Sequence, residues 1–95
     1  MKVRWTAPAL RDLEYVGDHI AKDNSSAASR IVTSIFDQTD VLAEFPHLGR
    51  TGRVPDTREL VISKTPYIVP YRVRENEVEI LAVFHGAQKW PETLD

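Results

Sequence analysis

The last third of the chain, Thr57 to Pro91, limits the available folds more than any other stretch. It reads TRELVIS, KTP, YIVPYRVR, ENE, VEILAVFH and GAQKWP, so three apolar runs rich in β-branched and aromatic residues are separated by short polar or proline-containing turns. That pattern predicts an antiparallel meander. A small sheet with one apolar face needs another element packed on it, so the preceding residues are read as a cover for it.

They supply one. Val3 and Trp5 alternate with Lys2 and Arg4, which predicts a short first strand. Thr6 is placed to cap a helix, with Pro8 in the first turn, where its missing N–H is harmless. Leu10, Leu13, Val16 or Gly17, and Ile20 recur at helical spacing, with Arg11, Asp12, Glu14, Asp18 and Lys22 on the other side. His19 reads as a surface or rim residue of this helix. The polar junction Lys22 to Ser26 predicts a turn, with Asn24 capping a second helix marked by Ala28, Ile31, Ile35, Leu42 and Phe45. Pro46 ends it at Phe45. So short a connection makes the two helices an antiparallel hairpin. The expected fold class is α+β, a strand and a helical hairpin packed on one face of an antiparallel sheet, in a single domain over residues 1–95.

Ninety-five residues hold one core. The absence of cysteine excludes disulfides and thiolate metal sites and fits a reducing compartment. No apolar run approaches the roughly 20 residues needed to span a bilayer, and the start MKVRWT is too polar for a secretory signal. The chain is expected to be soluble and cytoplasmic, with no membrane partner.

Charge is unevenly spread. Met1 to Gly49 carries 5 basic and 7 acidic residues, Arg50 to Arg74 carries 6 and 2, and Glu75 to Asp95 carries 1 and 5. A net charge of −2 argues against tight non-specific binding to nucleic acid, which depends on many neutralised phosphates. The cationic middle segment leaves room for directed contacts with an anionic partner. It equally fits a solvated strand surface.

Between hairpin and meander, Pro46 to Asp56 contains two glycines and two prolines and reads as a loop. Gly49 and Gly52 are expected there for backbone angles closed to other residues. The loop lacks the lysine-serine ending and the strand-to-helix context of a phosphate-binding P-loop. In the meander, Arg58 shares a face with Leu60 and Ile62, while Arg72 and Arg74 lie opposite the face formed by Tyr67, Val69, Tyr71 and Val73. The last run, Val78 to His85, is apolar on both faces and reads as a central strand. Pro70 cannot donate a ladder hydrogen bond, which predicts an irregularity beside it.

No Ser-His-Asp or Cys-His arrangement is visible, and His19, His47 and His85 are too scattered for a metal site, so neither metal nor cofactor is expected. The remaining constellation is Arg58, Arg72, Arg74 and His85. Arginines bind phosphate bidentately and a histidine can move a proton during 2'-hydroxyl attack, which suffices for a small ribonuclease. The same residues, with Glu59 and Glu79 as partners, also describe a strand-borne ion-pair surface.

The order strand, helical hairpin, Gly-Arg loop, TRELV, YIVPYRV and VEILAVFHGAQKWP resembles the RelE/ParE superfamily of type II toxin-antitoxin toxins, over Trp5 to Pro91. The pieces that carry the resemblance are Gly49-Arg50 before Thr57-Arg58-Glu59-Leu60, Tyr71-Arg72-Val73, and Val83-Phe84-His85-Gly86. It implies a β-α-α-β-β-β fold and a growth-arresting toxin of the kind used in plasmid stabilisation. It also implies a cognate antitoxin whose flexible C-terminal segment wraps the toxin, and operator DNA reached only through their complex. RelE-like members cut mRNA in the ribosomal A site with basic residues on the sheet and often a C-terminal tyrosine or histidine. ParE-like members poison DNA gyrase and lack that set.

By resemblance, Arg58 stands where a RelE-type chain binds phosphate, and Arg72 and His85 complete the catalytic set if the chain is a nuclease. No tyrosine follows His85, Arg30 is the one basic residue of the second helix, and the His-Gly ending is more similar to ParE-like chains. The resulting expectation is a gyrase-directed toxin. The alternatives are a ribosome-dependent mRNA endonuclease and an inactive toxin fold that retains only antitoxin binding. Target or antitoxin contacts are expected from Arg50, Arg53, Arg72 and Arg74, and from Leu81 and Val83, which with Ile68 are expected to be exposed on the uncovered side. Antitoxin carboxylates are expected to neutralise Arg72 or Arg74. The tail Gly86 to Pro91 is expected to fold back, burying Trp90.

Overall fold

Thr6 joins the two layers of the protein. Its side-chain oxygen accepts the Ala9 N–H at 3.3 Å and so caps α1 (Ala7–Ala21), while its hydroxyl donates to the Ile80 carbonyl at 2.7 Å. Asn24 Oδ1 accepts the Ala27 N–H at 2.9 Å and caps α2 (Ser25–Asp40). Each cap satisfies an N–H that the helix itself cannot. The computed structural model describes residues 1–94; Asp95, the last residue of the expected domain, lies outside them.

The helices form the expected hairpin. Gly17 lies at their contact, where an added Cβ would sit 3.2 Å from Val32 Cγ2. The second helix is shorter than its apolar spacing suggests. It leaves α geometry at Asp40 and tightens into a 3-10 turn at Val41–Ala43 before Pro46. Ala9, Leu13 and Val16 of α1 and Ala28 and Ile35 of α2 are buried; Leu10 and Phe45, expected in the stripe, are exposed.

The strands are β1 (Lys2–Trp5), β2 (Arg50–Thr51), β3 (Arg58–Val61), β4 (Tyr67–Arg74), β5 (Glu77–Ile80) and β6 (Phe84–His85). They lie in the order β1-β5-β4-β3-β2, with β6 also paired to β4. The meander pairs are antiparallel as expected, and β1 joins parallel to β5, which makes the sheet mixed. The α+β architecture with a helical hairpin on one face is therefore present. Leu60, Ile62, Tyr67, Val69, Tyr71, Val78 and Ile80 form the core with the helices. Glu75 and Asn76 both take positive φ, at 53° and 62°, and close the β4-β5 hairpin as the two-residue primed turn that matches strand twist.

The last apolar run is not one strand. Tyr71 pairs with Ile80 and Ile68 with Phe84, so two residues of β4 face three of the partner, Leu81 to Val83, across a bulge. Pro70 sits opposite this break. Its carbonyl accepts the Leu81 N–H at 3.0 Å, but it has no N–H to return, so the ladder lapses and resumes at Phe84. β4 is the middle strand of the sheet, and β5, between β1 and β4, is interior as expected.

Candidate functional site

Charge on the uncovered face is organised by carboxylates. Glu59 is 2% exposed, yet its oxygens are fully engaged: Arg50 donates to Oε1 through Nε at 3.1 Å and Nη2 at 2.9 Å, and Arg53 donates to Oε2 through its backbone N–H at 2.8 Å and Nε at 3.1 Å. Burial by itself would raise the Glu59 pKa. The bonds from the Arg53 backbone, the Arg53 side chain and Arg50 outweigh it and hold the carboxyl below its ordinary value. Arg53 has a second contact, its guanidinium carbon 3.6 Å from the centroid of Trp90. Trp90 also meets Phe84 at 4.8 Å, so the tail folds back over this face, although Trp90 stays half-buried and not buried as expected.

Further along, Arg72 Nε donates to Glu79 Oε1 at 2.7 Å, and Arg4 bonds the other oxygen of Glu79. The Arg72 bond leads the effects that lower the Glu79 pKa. The ion-pair surface with Glu59 and Glu79 as partners is thus the arrangement that forms. Arg74, paired in register with Glu77, is exposed and takes part in no salt bridge among the described residues.

Arg58 faces the other way. Its Nη1 donates to the Gly49 carbonyl at 2.9 Å, and the Tyr71 hydroxyl beside it accepts the Gly49 N–H at 2.8 Å and donates to the Pro46 carbonyl at 2.7 Å. These bonds clamp the loop down on the sheet. The glycines serve this close approach and not special angles, since neither has positive φ. A Cβ on Gly49 would lie 2.6 Å from Tyr71 Cε1, and one on Gly52 would lie 2.1 Å from Thr57 Oγ1.

The four residues expected to share a site are divided. His85 pairs with Tyr67 at one end of β4, whereas Arg58 pairs with Tyr71 and Arg72 and Arg74 lie beyond it. Four residues of strand separate Tyr67 from Tyr71 by roughly 13 Å, and the ladder break at Pro70 fixes His85 at the far end. Arg58 and Arg72 do line a common depression of about 330 Å³, and the imidazole there is His47, with Thr51, Asp56, Thr57 and Val73. Sequence spacing missed His47 because its link is tertiary: Arg58 ties down the loop that carries it.

Leu81, Val83 and Ile68 are buried, at 6%, 4% and 9% exposure, contrary to their expected exposure. The bulge turns Val83 under α1, where Asp12 Oδ2 accepts its N–H at 3.1 Å, and the returning tail occupies the side of the sheet to which Ile68 belongs. Arg50 and Arg53 keep about half of their side chains in solvent, 54% and 45%, so both can still meet a partner. No helix among the described residues is long and apolar enough to cross a membrane.

Comparison with known proteins agrees with this architecture. Residues 3–90 match the family described as the ParE toxin of type II toxin-antitoxin system, parDE. The chain is 50% identical over 93 residues to the protein Y4kP of Sinorhizobium fredii, covering 98% of this chain and 96% of the relative. It is 36% identical over 87 residues to Toxin RelE2 of Caulobacter vibrioides, covering 92% and 97%. Among solved structures, a chain of the chromosomal ParDE system of P. aeruginosa superposes with a TM-score of 0.81 at 30% identity, covering 90% of this chain and 95% of that one. A chain of the toxin-antitoxin complex RelBE2 of Mycobacterium tuberculosis gives 0.55 at 26% identity, covering 88% and 95%.

Proposed function

The chain belongs to the ParE toxin family of type II toxin-antitoxin systems, and from that premise we propose that it is a cytoplasmic, gyrase-directed toxin neutralised by a cognate antitoxin. The observation that carries this reading is that the arginines a nuclease would use for phosphate are occupied within the chain. Arg58 is bonded to loop carbonyls and Arg72 to Glu79, while His85 stands at the other end of β4. The higher structural similarity to the ParDE chain than to the RelBE2 chain, 0.81 against 0.55, favours the same branch.

The antitoxin, on this reading, meets the sheet through its charged face and open edges. Arg74 lacks a carboxylate among the described residues, and Arg50 and Arg53 are half-exposed, so acidic antitoxin side chains have cations to pair with. An extended segment can also add a strand at an edge. Binding to operator DNA belongs to the complex, since the toxin alone is acidic.

One observation favours the runner-up. His47 shares a depression with Arg58 and Arg72, so a ribosome-dependent nuclease would draw its imidazole from the loop and not from β6. Purified antitoxin-free protein decides between them. Inhibition of gyrase supercoiling with translation intact supports the proposal. Ribosome-dependent mRNA cleavage abolished by His47→Ala, with supercoiling untouched, overturns it. Induction that leaves growth unchanged, with neither activity present, leaves a fold that only binds antitoxin.

A further inference from the structure

The bulge that removes His85 from the arginines creates a second concavity, of about 210 Å³, between α1 and β6. Its walls are rings: Tyr15 and His19 lie nearly parallel, 12° apart with centroids at 6.1 Å, and Tyr67 meets His85 edge-on at 5.7 Å. At its side stands the Asp12 carboxylate. One oxygen accepts the Val83 N–H at 3.1 Å, and the other accepts no hydrogen bond among the described residues. Arg11, its neighbour on α1, forms no salt bridge with it among the described residues and offers only through-space attraction.

A second polar group faces the same space. Tyr67 is 7% exposed, lines the cleft, and its hydroxyl enters no hydrogen bond among the described residues. The ring is enclosed while the hydroxyl opens on the cleft, so a ligand entering there can bond it without displacing a protein partner. Burial alone raises its pKa, as expected for a hydroxyl with no bond to offset its surroundings. Burial is likewise the leading reason that the Asp12 pKa is raised. Both groups can accept a hydrogen bond from a ligand in the cleft, since neither the second Asp12 oxygen nor the Tyr67 hydroxyl has a protein partner among the described residues.

We propose that this cleft is a recognition pocket for a guanidinium group, the arginine side chain of a protein partner. A planar cation stacks against tyrosine rings, donates to the free Asp12 oxygen and supplies the hydrogen bond that the Tyr67 hydroxyl lacks. An anion is disfavoured because the one formal charge in the lining is the Asp12 carboxylate. A metal ion is disfavoured because no group of three or more His, Asp or Glu among the described residues can hold one. Gln88, whose Oε1 accepts the backbone N–H of His85 at 3.0 Å, also lines the cleft. The pocket stands apart from the choice between gyrase and ribosome, since it uses none of the arginines on which that choice turns.

The test titrates the purified full-length chain with N-acetyl-arginine amide at pH 8. Binding is read from the NMR signals of Tyr67 and His85, with N-acetyl-citrulline amide as the uncharged isostere. The expected result is saturable binding at least about fivefold tighter for arginine than for citrulline, weakened about fivefold by Asp12→Asn. That variant keeps an acceptor for Val83, and far-UV circular dichroism checks its fold. Tyr67→Phe, which removes only the hydroxyl, weakens binding two- to threefold. Equal binding of citrulline, indifference to Asp12→Asn in a folded variant, or no saturable change at Tyr67 and His85 would overturn the proposal.

Discussion

Glu59 and Asp12 are carboxylates drawn out of water on opposite faces of the same sheet, and their acidities move in opposite directions. Glu59, the less solvent-exposed side chain, is the stronger acid, because two guanidinium groups and a backbone N–H reach it. Asp12 receives a single N–H, and burial prevails. Desolvation leads at both groups, and the number and charge of the donors that oppose it decide the direction. The first arrangement organises structure. The second leaves a carboxylate with bonding capacity still open.

Removing Glu59 should be the most damaging way to probe this difference. Glu59→Ala is expected to lower stability by about 2–3 kcal/mol in urea unfolding, at the lower end of buried-pair losses because Arg50 and Arg53 can rehydrate. A loss under about 0.5 kcal/mol would mean that the clamp is incidental. Acid should act through the same group. With a folded pKa below the ordinary 4.5, Glu59 stabilises fully above that value, and the contribution disappears as pH falls through the lowered one. Wild-type protein should accordingly lose more stability than Glu59→Gln between about pH 5 and pH 3.

Asp12 carries the reverse sign. Its folded pKa is raised above 3.8, so its stabilising contribution is present below that value and is lost as pH rises through the folded one. Asp12→Asn should match wild type at acid pH and exceed it at pH 7 by about 1 kcal/mol, seen as a higher melting temperature. A lower melting temperature at pH 7 would break the contrast. The smallest effect belongs to Trp90→Ala, which removes the stack on Arg53 but leaves the Glu59 bonds, at about 0.5–1 kcal/mol. A cost equal to that of Glu59→Ala would place the tail, and not the carboxylate, at the centre of the clamp.

Features carried by neighbouring residues are legible in the sequence itself. Thr6 and Asn24 cap the helices, and the period-two runs place Arg72 and Arg74 opposite the core. Pro70 announced a break in the ladder, because a missing N–H is a property of the residue itself. Its side was not legible, since that depends on which flanking strand its nitrogen faces. The exposure expected of Val83 failed for the same reason: alternation continues only while the ladder does, and the bulge ended it. His47 is not legible as a neighbour of the arginines, because its position follows from Arg58 and Tyr71 gripping the Gly49 loop, a contact no local pattern encodes.

Local chemistry thus determined the elements, their faces and their ends, because propensity, capping and periodicity act over a few residues. Tertiary structure alone decided which charges meet: that Arg50 and Arg53 close on Glu59, that His85 is parted from Arg58, and that Asp12 and Tyr67 face one cleft. Those encounters join side chains carried by different strands, loops and helices, and their energies depend on burial and distance, which exist only once the sheet and hairpin have packed.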